Sequence, residues 1–557
     1  MHQRLEEIFV KILQSGGPNG FGYYAALGIG ALVLFIYGLQ WQKVSRKLPP
    51  GPRSWPILGS LGLLLNDKLP HHVFWDMSKI YGPILFMRLG SVPTLVVTSP
   101  KMVAEILQNH DEIFASRPEG AASEIMGRGK SITFSHGEYW RYTRNIATRE
   151  LLTKLRIKSF RVRHVMCFLS TLMFSNDRGV RRVEMVGVLR SLVEASKNGE
   201  AFVVRDKIFP YITSTFSQMM LQRKRFFGPG QEELISLTEK QLQERILEAV
   251  HLFGVTDIGD YIPFLRNFDF QGYRKRMKQI SNDIDDVMDV ILEEHKKAAA
   301  AAAVQGQDDV QDFVDVLLSL PERKGAQNLD EDIMKILPME MLVAANDSTN
   351  ATIEWALLRA IKHPEVQAKI QQELDNVVGK ERLVEENDLP KLQYLEATVK
   401  EVLRVHPPSP LLLPHKSNAP CTVAGYHIPA KTQLFINVYA IGRDPNVWDK
   451  AESFLPERFL EGYPNSTPKE IMGGTFNPQF DYTPFGWGRR SCPGVNLGFL
   501  AVRLAVAQIL QCFDISSPPH KDVLDMGETY GIAIFKEIPL EVVATTRLPT
   551  CLLDTFK

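Results

Sequence analysis

The stretch that most constrains how this chain can fold is Pro484-Phe485-Gly486-Trp487-Gly488-Arg489-Arg490-Ser491-Cys492-Pro493-Gly494. Behind it runs an apolar series with helical spacing, Val495, Leu497, Leu500, Ala501, Leu504, Ala505, Ile509 and Leu510. A thiolate held away from water needs amide donors and a nearby positive charge. The flanking glycines let the backbone fold tightly around the sulfur of Cys492, and Arg490 supplies a cation two residues away. The sulfur then lies just before a helix N-terminus, where negative charge is favoured. The pattern predicts an anion seat for one sulfur, hence a metal ligand. The competing reading is a glycine-rich turn around an incidental buried cysteine.

No Gly/Ser linker or long charge block divides the 557 residues after the first fifty, which predicts one large globular unit. Lys+Arg and Asp+Glu are equal at 64 each, so the charge balance gives no support to a nucleic-acid partner. Cys167, Cys421, Cys492, Cys512 and Cys551 are scattered, without paired or zinc-type spacing, and fit a reducing compartment.

At the N-terminus, residues 1–20 carry Leu5, Ile8, Phe9, Ile12 and Leu13 on one helical face, which reads either as a short amphipathic segment at a membrane surface or as an ordinary frayed terminus. Phe21 to Leu39 is free of charge and would span about 28 Å as a helix, close to the hydrocarbon core of a bilayer. Lys43, Arg46, Lys47 and Arg53 follow with no acid until Asp67, which places the bulk of the chain on the cytosolic side. Leu48-Pro49-Pro50-Gly51-Pro52 cannot continue a helix and reads as a stiff elbow. Ile84–Leu89 and Thr94–Thr98 are strand-like runs around a hairpin signal. From about 150 to 320 the pattern is helical, with a low-complexity alanine run at 298–303 read as an exposed linker or extended helix end.

Phe485, Gly488, Arg490, Cys492 and Gly494 reproduce Phe-x-x-Gly-x-Arg-x-Cys-x-Gly, and the sequence thereby resembles the cytochrome P-450 superfamily of haem-thiolate monooxygenases, in its fuller form the plant microsomal branch. The resemblance implies haem b with Cys492 as its axial ligand and Phe485 and Arg490 beside it. It implies that Trp140 and Arg144, four apart on a helix, donate to a haem propionate, with Arg128 and His415 as further propionate partners. Ala344-Ala345-Asn346-Asp347-Ser348-Thr349 is similar to the family's oxygen-activating stretch, with Ala345 at the usual glycine and Ser348 at the first threonine. Asp347, Ser348 and Thr349 are accordingly expected to relay protons. Glu401 and Arg404, one turn apart, and Arg458 match the family's buried ionic triad.

The expected fold is α+β and predominantly helical, with a small β-rich lobe and one N-terminal transmembrane helix. The expected organisation is an amphipathic segment at 1–20, an anchor at 21–39, a basic and proline-rich hinge at 40–53 and a catalytic domain at 54–557. The resemblance implies oxygen insertion from O2 into a small apolar substrate at the endoplasmic reticulum membrane. No Gly-x-Gly-x-x-Gly follows a strand. Electrons must come from a partner, by resemblance NADPH-cytochrome P-450 reductase, with cytochrome b5 as a second one. A haem-thiolate isomerase or dehydratase acting without O2, and a membrane-tethered binding protein, stay open as alternatives.

Overall fold

The computed structural model describes residues 28, 48–64, 68–157, 180–221, 239–305, 312–324, 330–462, 480–519, 524–529, 531 and 533–549. The segment at 1–20 and all but Gly28 of the 21–39 run lie outside the described residues.

The helical layer is built around one long helix, Glu331–Lys362. Asp330 caps it by accepting from the Asp332 amide, acids occupy its first turn, and Arg359 and Lys362 sit in the last, each matched to the helix dipole. The sequence pattern starts this helix at Met339, after Pro338. In the structure the helix includes Pro338, whose lost bond and clash with the preceding turn are offset by burial of Ile333 and Leu337 before it. Its faces pack against Val204–Leu221, Gln393–Val405 and Val495–Cys512, so Leu342, Ile353, Trp355, Leu357 and Leu358 are all buried and no single apolar stripe exists. Val495–Cys512 is the one helix among the described residues long and apolar enough to cross a membrane, yet 67% of it is buried inside the protein as a core helix. The alanine run at 298–303 forms the far end of the helix Tyr273–Gln305, which decides between the two readings offered for it.

The β-rich lobe carries a four-stranded sheet in the order Ile84–Leu89, Val92–Val97, Gln433–Ile436, His415–Lys416. The first two strands form the expected hairpin, with Phe86 opposite Leu95, but the second begins at Val92 and takes in Pro93. Proline is tolerated there because the parallel neighbour joins only from Thr94 onward. A second sheet joins Phe202–Val203, Glu541–Thr546 and Phe513–Ser516. The proline elbow ends docked rather than free. Pro49 is buried, the Phe86 amide donates to Pro50 O at 2.9 Å, and a side chain at Gly51 would run into the Phe86 carbonyl.

Candidate active site

Cys492 sits in the last turn before the helix Val495–Cys512, whose cap is Gly494. Gly486 and Gly488 take left-handed backbone, φ 71° and 65°, and reverse the chain so that the Cys492 amide donates to Phe485 O at 2.8 Å. The sulfur accepts from the Gly494 amide and feels the Arg144 charge. Burial nonetheless pushes its thiol up, outweighing both. Cys421 lies instead in the ladder Cys421–Val423, and Cys512 is buried in the core with its thiol pushed up to about 12 by desolvation. Coordination to a metal deprotonates a thiol outright, and of these three only Cys492 has an amide donor and a cation arranged for the resulting charge.

Arginines converge beside this loop. Arg490 lies over the Trp140 ring at 4.0 Å and donates to Ala115 O (2.8 Å) and Ser135 O (2.6 Å). Arg144, on the helix Gly137–Ile146 with Trp140, donates to Ser491 O at 2.7 Å. Arg117, which the sequence reading did not single out, is buried and donates to Leu413 O (2.6 Å) and Pro414 O (2.9 Å). Its guanidinium is held down to about 9, first by burial and then by the charges of Arg490 and Arg144. Among the described residues none of these three cations bonds a carboxylate, and the Trp140 Nε1 is buried without an acceptor. Three desolvated cations and an unpaired indole donor form a donor set that fits the two carboxylates on one edge of haem.

His415 belongs to the same cluster. Its Nδ1 faces Phe114 O at 2.9 Å and must donate to it, so Nε2 can donate only from an imidazolium. Burial, then Arg117 and Arg490, hold the ring neutral, down to about 3. A donor role for His415 therefore requires an anion beside it to offset the arginines. Arg128 is placed elsewhere: its left-handed backbone (φ 47°) turns it toward Tyr273–Gln305 and the start of the long helix, where it pairs with Asp285 and with Asp332 at 3.0 Å. It lines a narrow, largely apolar cleft with Met126, Phe253, Met339 and Val343.

On the long helix, Asp347 is buried and its carboxyl is pushed up to about 7 by desolvation, against a 3.3 Å bond from the Ala533 amide and the charge of Arg205. Ser348 is half-buried, its hydroxyl donating to Ala344 O at 2.9 Å, and Thr349 is buried. Arg205, also unanticipated, bonds Glu354 and Lys536 O, both at 2.8 Å, and ties this helix to the C-terminal hairpin. On the other side of the core, Glu401 takes two 2.7 Å bonds from Arg404, one of 3.1 Å from Arg458 and one of 2.8 Å from the Leu455 amide. All three charged side chains are nearly inaccessible, and the spare guanidinium donors reach the carbonyls of Ala451, Ser453 and Asp449.

The cytochrome P450 family model matches residues 49–542. The chain belongs to the cytochrome P450 family. This P450 is 36% identical to cytochrome P450 703A2 of Arabidopsis thaliana, over 93% of its own length and 97% of the relative. It is 38% identical to CYP736A12 of Panax ginseng (88% and 91% covered) and 32% identical to the flavonoid 3',5'-hydroxylase of Solanum melongena (91% and 92%). A zebra fish cytochrome P450 solved with progesterone has the same fold, with a TM-score of 0.68 at 24% identity, covering 86% of this chain and all of that one. The protein is thus a haem-thiolate monooxygenase with the P450 fold, mostly helical beside a small β lobe.

Proposed function

We propose that this P450 hydroxylates a small apolar substrate of plant specialised metabolism, and that Cys492 is the residue whose thiolate would hold its haem. The carrying observation is the Cys492 seat, with its Gly494 amide donor and neighbouring Arg144 charge. Haem held by a thiolate supplies the oxidising chemistry that inserts one atom of O2 into the substrate. Arg490 and Phe485 brace the cysteine loop. Trp140, Arg144 and Arg117 would hold the carboxylates of the haem, and His415 would donate as imidazolium only with such an anion beside it. On the opposite side Asp347, poised near neutrality, and the Ser348 hydroxyl pass protons toward the oxygen side, with Thr349 shaping that face. Glu401, Arg404 and Arg458 keep the proximal loops in register. Arg128 stands outside the carboxylate-holding set, engaged with Asp285 and Asp332.

Electrons come from NADPH through the membrane-bound reductase, with cytochrome b5 as a second donor. The enzyme is anchored in the endoplasmic reticulum membrane by residues 21–39, preceded by the amphipathic 1–20 segment and followed by the 40–53 hinge and the catalytic domain. Support for a membrane-facing side comes from exposed apolar residues near the hinge, Trp55 (76%), Ile57 (57%) and Leu58 (51%), and from Phe264 (61%), Phe268 (65%) and Phe270 (70%). The two groups meet where Gly90 bonds Leu58 O and Ser91 bonds Tyr261 O. Retention of both Asp347 and a hydroxyl at Ser348 favours oxygen activation over the peroxide-rearranging alternative.

The test is the reduced, carbon monoxide-bound spectrum. Cys492→Ser should abolish the thiolate-haem band and turnover, while Cys421→Ser and Cys512→Ser keep both. A normal band in Cys492→Ser would overturn the assignment.

A further inference from the structure

Where the helix Pro70–Tyr81 begins, three donor atoms converge, one of them from a strand residue of the C-terminal hairpin. His71 Nε2 and His72 Nε2, at the start of the helix Pro70–Tyr81, lie 2.9 and 3.2 Å from the same atom, Glu528 Oε2 of the C-terminal hairpin. All three atoms are within 4.8 Å of one another. Ligands at about 2.0–2.1 Å around a tetrahedral zinc stand about 3.3 Å apart, so small movements would place an ion between them. The two imidazole rings, 4.2 Å apart, are both held edge-on by Tyr439, and the His71 carbonyl is fixed by Asn437 at 2.8 Å. His71 and Glu528 are shielded, whereas the His72 side chain is 31% exposed and leaves an entry path.

A second observation points to the same place. His406 is buried, and its Nε2 accepts from Arg359 Nε at 3.1 Å, so in the neutral ring Nδ1 carries the proton. That Nδ1 has no acceptor and stands 3.7 Å from the other Glu528 oxygen, Oε1, too far for a hydrogen bond. A carboxylate that binds a metal through one oxygen commonly has its other oxygen hydrogen-bonded. If Glu528 Oε2 turned onto an ion shared with the two histidines, Oε1 would be the oxygen left for His406. The cluster has one carboxylate and lies near the cations Arg443 and Arg359, which disfavours oxygen-seeking ions and leaves imidazole affinity as the driving term.

We propose that His71, His72 and Glu528 form a zinc-class transition-metal site, with His406 positioning Glu528, that clamps the C-terminal hairpin to the first helix of the domain. Glu528 pairs with Lys536 across the hairpin, and Arg205 ties the Lys536 carbonyl to Glu354, so the clamp also steadies the contact between the hairpin and the long helix.

The holoenzyme, stripped with a chelator and dialysed against a small excess of zinc, tests this by metal analysis after removal of free ion. The wild-type enzyme should retain one more zinc per chain than His72→Asn or Glu528→Gln, and its thermal midpoint should rise with zinc where theirs does not. Dialysis across a range of zinc concentrations should show at least tenfold weaker binding in both variants, and magnesium should not compete. His295, Asp312 and Asp315 form a second cluster of possible ligands and provide a control: His295→Gln should keep the zinc increment that His72→Asn loses. The carbon monoxide spectrum verifies that each variant is folded. Equal zinc content in wild type and in a folded His72→Asn or Glu528→Gln enzyme would overturn the site.

Discussion

The Ser348 hydroxyl is bonded to Ala344 O and must leave that carbonyl to serve a proton relay. Serine samples more rotamers than β-branched threonine, which lets it leave but aims it less firmly. Ser348→Ala should raise NADPH use and peroxide release per product by severalfold, and Ser348→Thr should preserve or tighten coupling. Turnover, NADPH consumption and peroxide measured together decide between them. Asp347 makes a pH prediction. Its folded pKa, about 7, lies above the ordinary carboxyl value, so between roughly pH 4 and 7 the folded state holds more protons than the unfolded one. Stability should therefore fall as pH rises through that window, and Asp347→Asn should remove up to about 2.5 kcal/mol of the difference between denaturant melts at pH 5 and pH 8. Residue identity and order made Trp140, Arg144 and Cys492 visible in the sequence. Arg117 was not, because nothing local marks an arginine as buried; nor was the direction of Arg128, which a left-handed backbone turn decides.

At the scale of elements, the ionic triad joins the helix Gln393–Val405 to the loops that precede the cysteine. Removing the carboxylate would leave two guanidiniums buried with only carbonyls for company. Glu401→Gln should cost about 3–5 kcal/mol and lose most of the thiolate-haem band, checked by thermal unfolding beside the carbon monoxide spectrum. Elements with a local signature were legible: the hairpin and the helix after Cys492. The early start of the long helix was not, since its first turns are set by the Asp330 cap and by packing that outweighs Pro338.

At the scale of the molecule, the proposed membrane contact adds Trp55, Ile57 and Leu58, just past the hinge, and the exposed phenylalanines to the 21–39 anchor. An enzyme beginning at Leu48 should fold and show the carbon monoxide band, yet pellet only in part with vesicles. Adding Phe264→Ser, Phe268→Ser and Phe270→Ser should release it into the supernatant. Full release by truncation alone would assign no membrane contact to that face. The family architecture was legible because its motifs are spread over most of the chain. The aromatic patch was not, because Phe264, Phe268 and Phe270 come together with the hinge only through folding.

The docked elbow works as a keyed joint. With Pro49 buried and Pro50 bonded to the Phe86 amide, the chain enters the β lobe at a fixed heading. Any foreign leader fused ahead of Leu48 inherits that heading, whatever its own length or flexibility. A cut placed after Gly51 would discard the acceptor for Phe86, a residue 5% exposed, and leave a shielded amide unpaired at the edge of the first sheet. Where the leader is exchanged thus matters more than what replaces it.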